Sequence, residues 1–138
     1  MALNSMQEIF EKAASRSIPF WRVVLETDME ERQVTEEQSM EKMRAAWHAM
    51  LESVISYQGD QRSRSGLVGG DGAQMRRYAA ADTTYSGPYV QEVIATALSV
   101  GESNACMKRI VAAPTAGACG VIPAVFLAYQ EYFRAEEQ

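Results

Sequence analysis

Residues 35–57 read TEEQSMEKMRAAWHAMLESVISY. Met40, Met43, Trp47, Met50, Val54 and Tyr57 recur at alternating three- and four-residue steps, lining one stripe of a long helix. Thr35-Glu-Glu-Gln38 opens it as a capping box, in which hydroxyl and amide side chains satisfy each other's backbone N–H groups. Methionine adapts to irregular packing, so the stripe reads as core, with a partner-binding groove as the alternative. His48, the chain's one histidine, sits off the centre of the stripe and reads as a partly exposed imidazole rather than a base or ligand.

The same helical grammar extends in both directions. Ser5-Met-Gln-Glu8 is a second capping box, and Met6, Ile9, Phe10 and Ala13 share one face of a helix from Ser5 to about Ala14. A second short helix starts near Ser17, with Pro19 in its first turn and Phe20, Trp21, Val23, Val24 and Leu25 behind it. Glu26–Arg32 reads as a solvated connector. From Gln58 to Gly87 the periodicity breaks, with a short helical piece at Ala73–Tyr78. Ser86-Gly87-Pro88 starts a helix carrying Val90, Val93, Ile94, Ala97 and Leu98, with Gly101 as its terminator and Ser103-Asn104-Ala105 as a turn or the next cap. Ile110–Ala113 reads as a buried extended piece or a strand. After Gly120, residues Val121, Ile122, Val125, Ala128, Tyr129 and Tyr132 form a final amphipathic helix with Pro123 in its first turn. The fold class is mainly α: a helical domain with two glycine-rich loops.

Length and composition set the bounds. At 138 residues the chain is one domain's worth, with 47% hydrophobic and 22% charged residues. A net charge of −5 argues against nucleic acid, whose phosphates want a basic face. No apolar run approaches the roughly 20 residues that span a bilayer, so no membrane partner is expected. The N-terminus lacks a signal peptide's apolar run, which places the chain in the cytoplasm. Cys106 and Cys119 are then small, reduced, buried side chains, although a disulfide is possible on paper. Two thiols cannot close a four-thiolate metal site.

The loops carry the chemistry. Residues 62–71, RSRSGLVGGD, hold the hydroxyls of Ser63 and Ser65, two guanidinium groups, and backbone amides around Gly69 and Gly70. Successive amides in tight turns form concavities for anions; a structural loop capped by its own serines is the alternative. Neither the P-loop nor the dinucleotide glycine pattern is present. Residues 114–120, PTAGACG, directly precede a helix, whose N-terminus attracts anions. Cys119 there is a conceivable nucleophile, but no histidine is near it in sequence. Lys108, between the loops, is a conceivable Schiff-base lysine that nothing marks as desolvated. From the residues alone, the two loops clamp a small anion such as an amino-acid carboxylate.

SRSGLVGGDG, then SGPY, then ESNACMKRIVAAPTAGACGVIPAV resemble, in order and spacing, the alpha subunit of bacterial iron–sulfur-dependent L-serine dehydratase. The resemblance covers essentially the whole chain. It implies a lyase that eliminates water from L-serine and yields pyruvate and ammonia, using a four-iron, four-sulfur cluster as Lewis acid rather than pyridoxal phosphate. It implies substrate positioning by Ser63, Ser65, Gly66, Gly69, Gly70, Asp71, Asn104, Pro114, Thr115, Ala116 and Gly117, and assigns no base. Ala116 departs from the Asn that some members carry. The partners implied are L-serine, a separate beta subunit and further copies of the chain. The family's cluster cysteines lie in downstream contexts that are missing here. Residues 1–138 are thus expected to be the N-terminal part of the alpha (catalytic) domain, an incomplete half of a larger all-helical domain. The cluster-binding C-terminal part is absent, so no cluster is bound and the piece alone is inactive. The rival readings are a cysteine-specific lyase releasing sulfide and a non-catalytic small-anion-binding or interaction module.

Overall fold

The computed structural model describes residues 5–81, 85–113 and 115–134. Among them are six helices: α1 (Met6–Arg16), α2 (Phe20–Arg32), α3 (Glu36–Ile55), α4 (Asp71–Ala79), α5 (Pro88–Ala105) and α6 (Val121–Phe133). The chain divides into two compact units, residues 1–46 and 47–138, with α3 running through the division.

In the first unit the Thr35–Gln38 capping box is reciprocal, and Ser5 caps α1 through its hydroxyl. The Glu8 N–H donates to Ser5 Oγ at 3.2 Å. The Gln38 N–H donates to Thr35 Oγ1 at 3.3 Å, and the Thr35 N–H to Gln38 Oε1 at 2.9 Å. Two boundaries differ from expectation. Ser17 is the left-handed C-cap of α1 at φ 51°, and α2 begins only after Pro19. Glu26–Arg32 is the second half of α2, not a connector. Its charges are paired along the helix surface, which supports helix instead of opposing it. Arg22 donates to Glu26 at 3.2 Å, Arg32 to Asp28 at 2.8 Å, and Thr27 Oγ1 to the Val23 carbonyl at 2.9 Å. The hydrogen bond from Arg16 holds the Glu26 carboxyl below its usual range; the Ser39 hydroxyl does the same for Asp28. Among the described residues of this unit, Ile9, Val23 and Leu25 are the buried apolar side chains.

In the second unit α5 packs against both α4 and α6. Val100, Val111, Ala113 and Cys119 form the core cluster, with Met50 and Val54 of α3 against it. The α3 stripe is therefore core only in part: Met43 is exposed, and the helix ends at Ile55, before Tyr57. Helix α5 does not stop at Gly101. An interior glycine costs only about 1 kcal/mol, and the residues that follow it, Glu102 and Ser103, are buried. Its buried face also differs from the apolar one read above. Gln91, Ala95, Thr96, Ser99, Val100, Glu102 and Ser103 are inward, while Val90, Ile94 and Leu98 are exposed. Small and polar side chains let the neighbouring helices approach closely, and Ser99 Oγ is satisfied by the Ala95 carbonyl at 2.8 Å.

Residues 110–113 are irregular, with no strand among the described residues. A side chain takes the place of a strand partner there. Asn104 Nδ2 donates to the Val111 carbonyl at 2.8 Å, and Asn104 Oδ1 accepts from the Val111 N–H at 3.0 Å. Helix α6 buries Pro123, Ala124 and Ala128, and exposes Val121, Phe126, Tyr129 and Tyr132. No helix among the described residues is long and apolar enough to cross a membrane.

Gly120 joins α6 to α5 at close range, since a Cβ there would collide with the backbone carbonyl of Ala97. Neither partner is a flexible side chain. Gly120→Ala is expected to destabilise the chain by about 1–3 kcal/mol in denaturant unfolding; unchanged stability would show that α6 is not pressed against α5.

Candidate functional site

The first loop is a self-supporting turn. The Ser63 N–H donates to the Val68 carbonyl at 2.8 Å, and the Gly66 N–H to the Ser63 carbonyl at 2.8 Å. The serine hydroxyls reinforce it from inside. Ser63 Oγ accepts from the Val68 N–H at 3.1 Å, and the two hydroxyls lie 3.1 Å apart. Gly66 and Gly70 take φ of 76° and 88°, which side-chain-bearing residues rarely adopt. A Cβ on Gly70 would also come within 2.8 Å of the Arg62 guanidinium.

The loop leads into α4, and α4 is capped from a distance. Its N-cap, Gly70, has no side chain to offer. Glu102 supplies the acceptor. The N–H groups of Asp71 and Gly72 donate to Glu102 Oε1 at 2.6 and 3.2 Å. The Tyr57 hydroxyl donates to Glu102 Oε2 at 2.5 Å and accepts from the Ala73 N–H at 3.0 Å. Burial, reinforced by the neighbouring carboxylate, raises the Tyr57 hydroxyl above its ordinary pKa and keeps it protonated as a donor. The amides of this helix start are therefore already met by the protein's own anion.

The second loop turns at Thr115. Its side chain and carbonyl both accept from the Ala118 N–H, each at 3.2 Å. Thr115, Ala116 and Gly117 are exposed. Pro114 lies outside the described residues. Cys119 is buried at 2% exposure in the core cluster. Burial pushes its thiol above the usual pKa, which disfavours a nucleophilic thiolate. His48 and Lys108 are exposed on the surface.

The two loops meet across α5. A cleft of ≈ 330 Å³ is lined by Val68 and Asp71 from the first side, Leu98, Gly101 and Glu102 from α5, and Gly117–Val121 from the second. Of the residues picked out from sequence, Asp71 and Gly117 line it, and Gly69 and Gly70 directly precede Asp71 in the chain. Ser63, Ser65, Gly66, Asn104, Thr115 and Ala116 do not line it; the hydrogen bonds of all but Ala116 shape the loops instead. Gly101 fits here too: a Cβ on it would meet nothing within 4 Å, so its bareness leaves the cleft floor open rather than serving packing.

Residues 15–138 match the family described as the serine dehydratase alpha chain. The chain belongs to that family. It is 32% identical over 133 residues to the L-serine dehydratase, alpha chain, of Peptoniphilus asaccharolyticus, covering 95% of this chain and 45% of that protein. It is 29% identical over 128 residues to the probable L-serine dehydratase, alpha chain, of Bacillus subtilis (strain 168), covering 93% and 43%. A 38-residue stretch is 63% identical to L-serine dehydratase TdcG of Escherichia coli (strain K12), covering 28% of this chain and 8% of that protein. The chain thus spans less than half the length of the two alpha-chain relatives. No solved structure matches it.

The chain's two cysteines are too few to supply the thiolates of a four-iron cluster by themselves. Among the described residues no three His, Cys, Asp or Glu side chains gather as metal ligands, and the sequence holds only two cysteines. Sequence reasoning missed Glu102 and Tyr57. Glu102 lies four residues beyond Leu98 on a largely apolar helix, and a carboxylate in such a place calls for donors. A thiol-reactive probe at neutral pH is expected to label half-buried Cys106 about tenfold or more faster than Cys119. Equal rates, followed by mass spectrometry of the peptides, would contradict the burial of Cys119.

Proposed function

We propose that this chain forms the N-terminal part of the catalytic domain of an L-serine dehydratase, and that the cleft between its two loops seats the amino acid. The observation that carries this reading is the convergence of both glycine-rich loops on one cleft in a chain of this family. The cleft suits a small zwitterion. Asp71 and Glu102 are its charged described lining residues, and Asp71 has no cationic partner among them. The ammonium end of the amino acid lies toward Asp71. The carboxylate end lies toward the Gly117–Gly120 turn, where α6 begins with no side-chain cap. The exposed, bare surface of Gly101 leaves room for the β-hydroxyl that departs.

In this reading L-serine loses its α-proton and β-hydroxide as water, and the enamine product hydrolyses to pyruvate and ammonia. The residues here bind and orient the substrate. The four-iron, four-sulfur cluster is held by polypeptide other than these residues, a beta subunit completes the enzyme, and the whole works in the cytoplasm. Exposed Val121, Phe126, Tyr129 and Tyr132 on α6 support a chain that associates with further protein, including copies of itself.

The test is the full-length alpha chain with its beta subunit, reconstituted anaerobically with iron and sulfide. It is expected to release pyruvate from L-serine faster than from L-cysteine. Residues 1–138 alone, treated identically, are expected to retain no stoichiometric iron. Pyruvate release from L-cysteine only would redirect the reading to a sulfide-releasing lyase. A four-iron cluster on residues 1–138 would overturn the division of labour.

A further inference from the structure

We propose that Glu102 is a positioning residue for the amino-acid seat: its buried carboxylate, with Tyr57 beside it, fixes the first glycine-rich loop in the register that faces the second. The proposal rests on the reading of the cleft as that seat.

The first amides of any helix lack partners within it, and a Ser, Thr, Asp or Asn side chain at the N-cap ordinarily supplies one. Helix α4 does not use this device, because Gly70 takes φ 88°, a conformation that side-chain-bearing residues rarely adopt. Its acceptors come from far along the chain instead. Glu102, 5% exposed on α5, receives the N–H groups of Asp71 and Gly72. Tyr57, beyond the end of α3, receives that of Ala73 and donates to Glu102. Three successive amides are thus held by two side chains from other elements. Gly72 makes the approach possible, since a Cβ there would lie 2.7 Å from Ser99 Oγ and 3.0 Å from the Tyr57 hydroxyl. The position of Asp71 is set by this bracket, and Asp71 reaches the cleft.

A carboxylate is the group the bracket requires. It accepts on both oxygens, and three donors already point at it. Glutamine has the same shape but turns one acceptor into a donor, so either the two backbone N–H groups or the tyrosine hydroxyl loses its partner. The loop then loses its register while the apolar cluster of Val100, Val111, Ala113 and Cys119 stays intact.

The experiment compares wild type, E102Q and Y57F in the full-length reconstituted enzyme, reading steady-state kinetics with L-serine and amide hydrogen exchange. In E102Q, KM for L-serine is expected to rise about tenfold with kcat changed by less than about threefold, the signature of a lost ground-state seat. Exchange at Asp71 and Gly72 is expected to accelerate about tenfold while α6 keeps its protection. Y57F retains the two backbone bonds to Glu102 and is expected to show a smaller KM increase in the same direction. An unchanged KM in E102Q, or unchanged exchange at Asp71 and Gly72, overturns the proposal. Loss of kcat and of α6 protection together would assign Glu102 to stability alone and overturn it too. If E102Q does not fold, an unchanged KM in Y57F overturns it. A wild-type enzyme that releases no pyruvate would defeat the functional reading, and exchange at Asp71 and Gly72 then decides the role of Glu102 separately.

Discussion

A carboxylate buried on α5 needs donors, and α4 begins where they are found. Glu102 and Tyr57 together satisfy the N–H groups of Asp71, Gly72 and Ala73, which no local side chain could cap. Both halves of this contact would be costly alone: an unpaired buried carboxylate on one side, three unpaired helix-start amides on the other. Joined, they remove each other's penalty. The placement of the α4 start, and with it the Asp71 side of the cleft, follows from that pairing.

The far wall depends on a different constraint, steric rather than electrostatic. Gly120 lets the start of α6 lie against the Ala97 carbonyl, and the polar, small-residue face of α5 brings both neighbours in close. One helix thereby carries two loops that are some fifty residues apart in sequence. Their own hydroxyls and amides are largely engaged in holding their shape: Ser63 and Ser65 within the first turn, Thr115 within the second, Asn104 on Val111. The cleft they leave is small, acidic on one side and bare at Gly101. Such a geometry fits a compact zwitterion better than an extended ligand.

Local chemistry was legible in the sequence, and remote chemistry was not. The caps at Ser5–Glu8 and Thr35–Gln38 involve partners three residues apart: the hydroxyl bond forms in both, and the return bond in the second. The spacing of α3 and the start of α6 after Gly120 follow from similar short-range signals. Where punctuation was missing, boundaries went astray: Ser17 and Gln33 end helices in left-handed conformations usually given to glycine. Where punctuation was present without a stop, as at Gly101, it misled, because burial of Glu102 and Ser103 carries α5 onward. The apolar Ile110–Ala113 segment looked strand-like for a sound reason, since the Asn104 amide binds Val111 as a strand edge would. Both loops were visible as glycine clusters. That Asp71 and Gly117 would share a cleft, organised by a glutamate 31 residues beyond Asp71, depends on packing that no window of sequence contains.

The most direct measurement of the central claim is a crystal structure of the whole subunit with L-serine bound. The account predicts the amino acid between Asp71 and the Gly117–Gly120 turn, with Glu102 still accepting from the Asp71 and Gly72 amides. L-Serine bound away from that cleft, or a Glu102 carboxylate withdrawn from α4 in the complex, would contradict it.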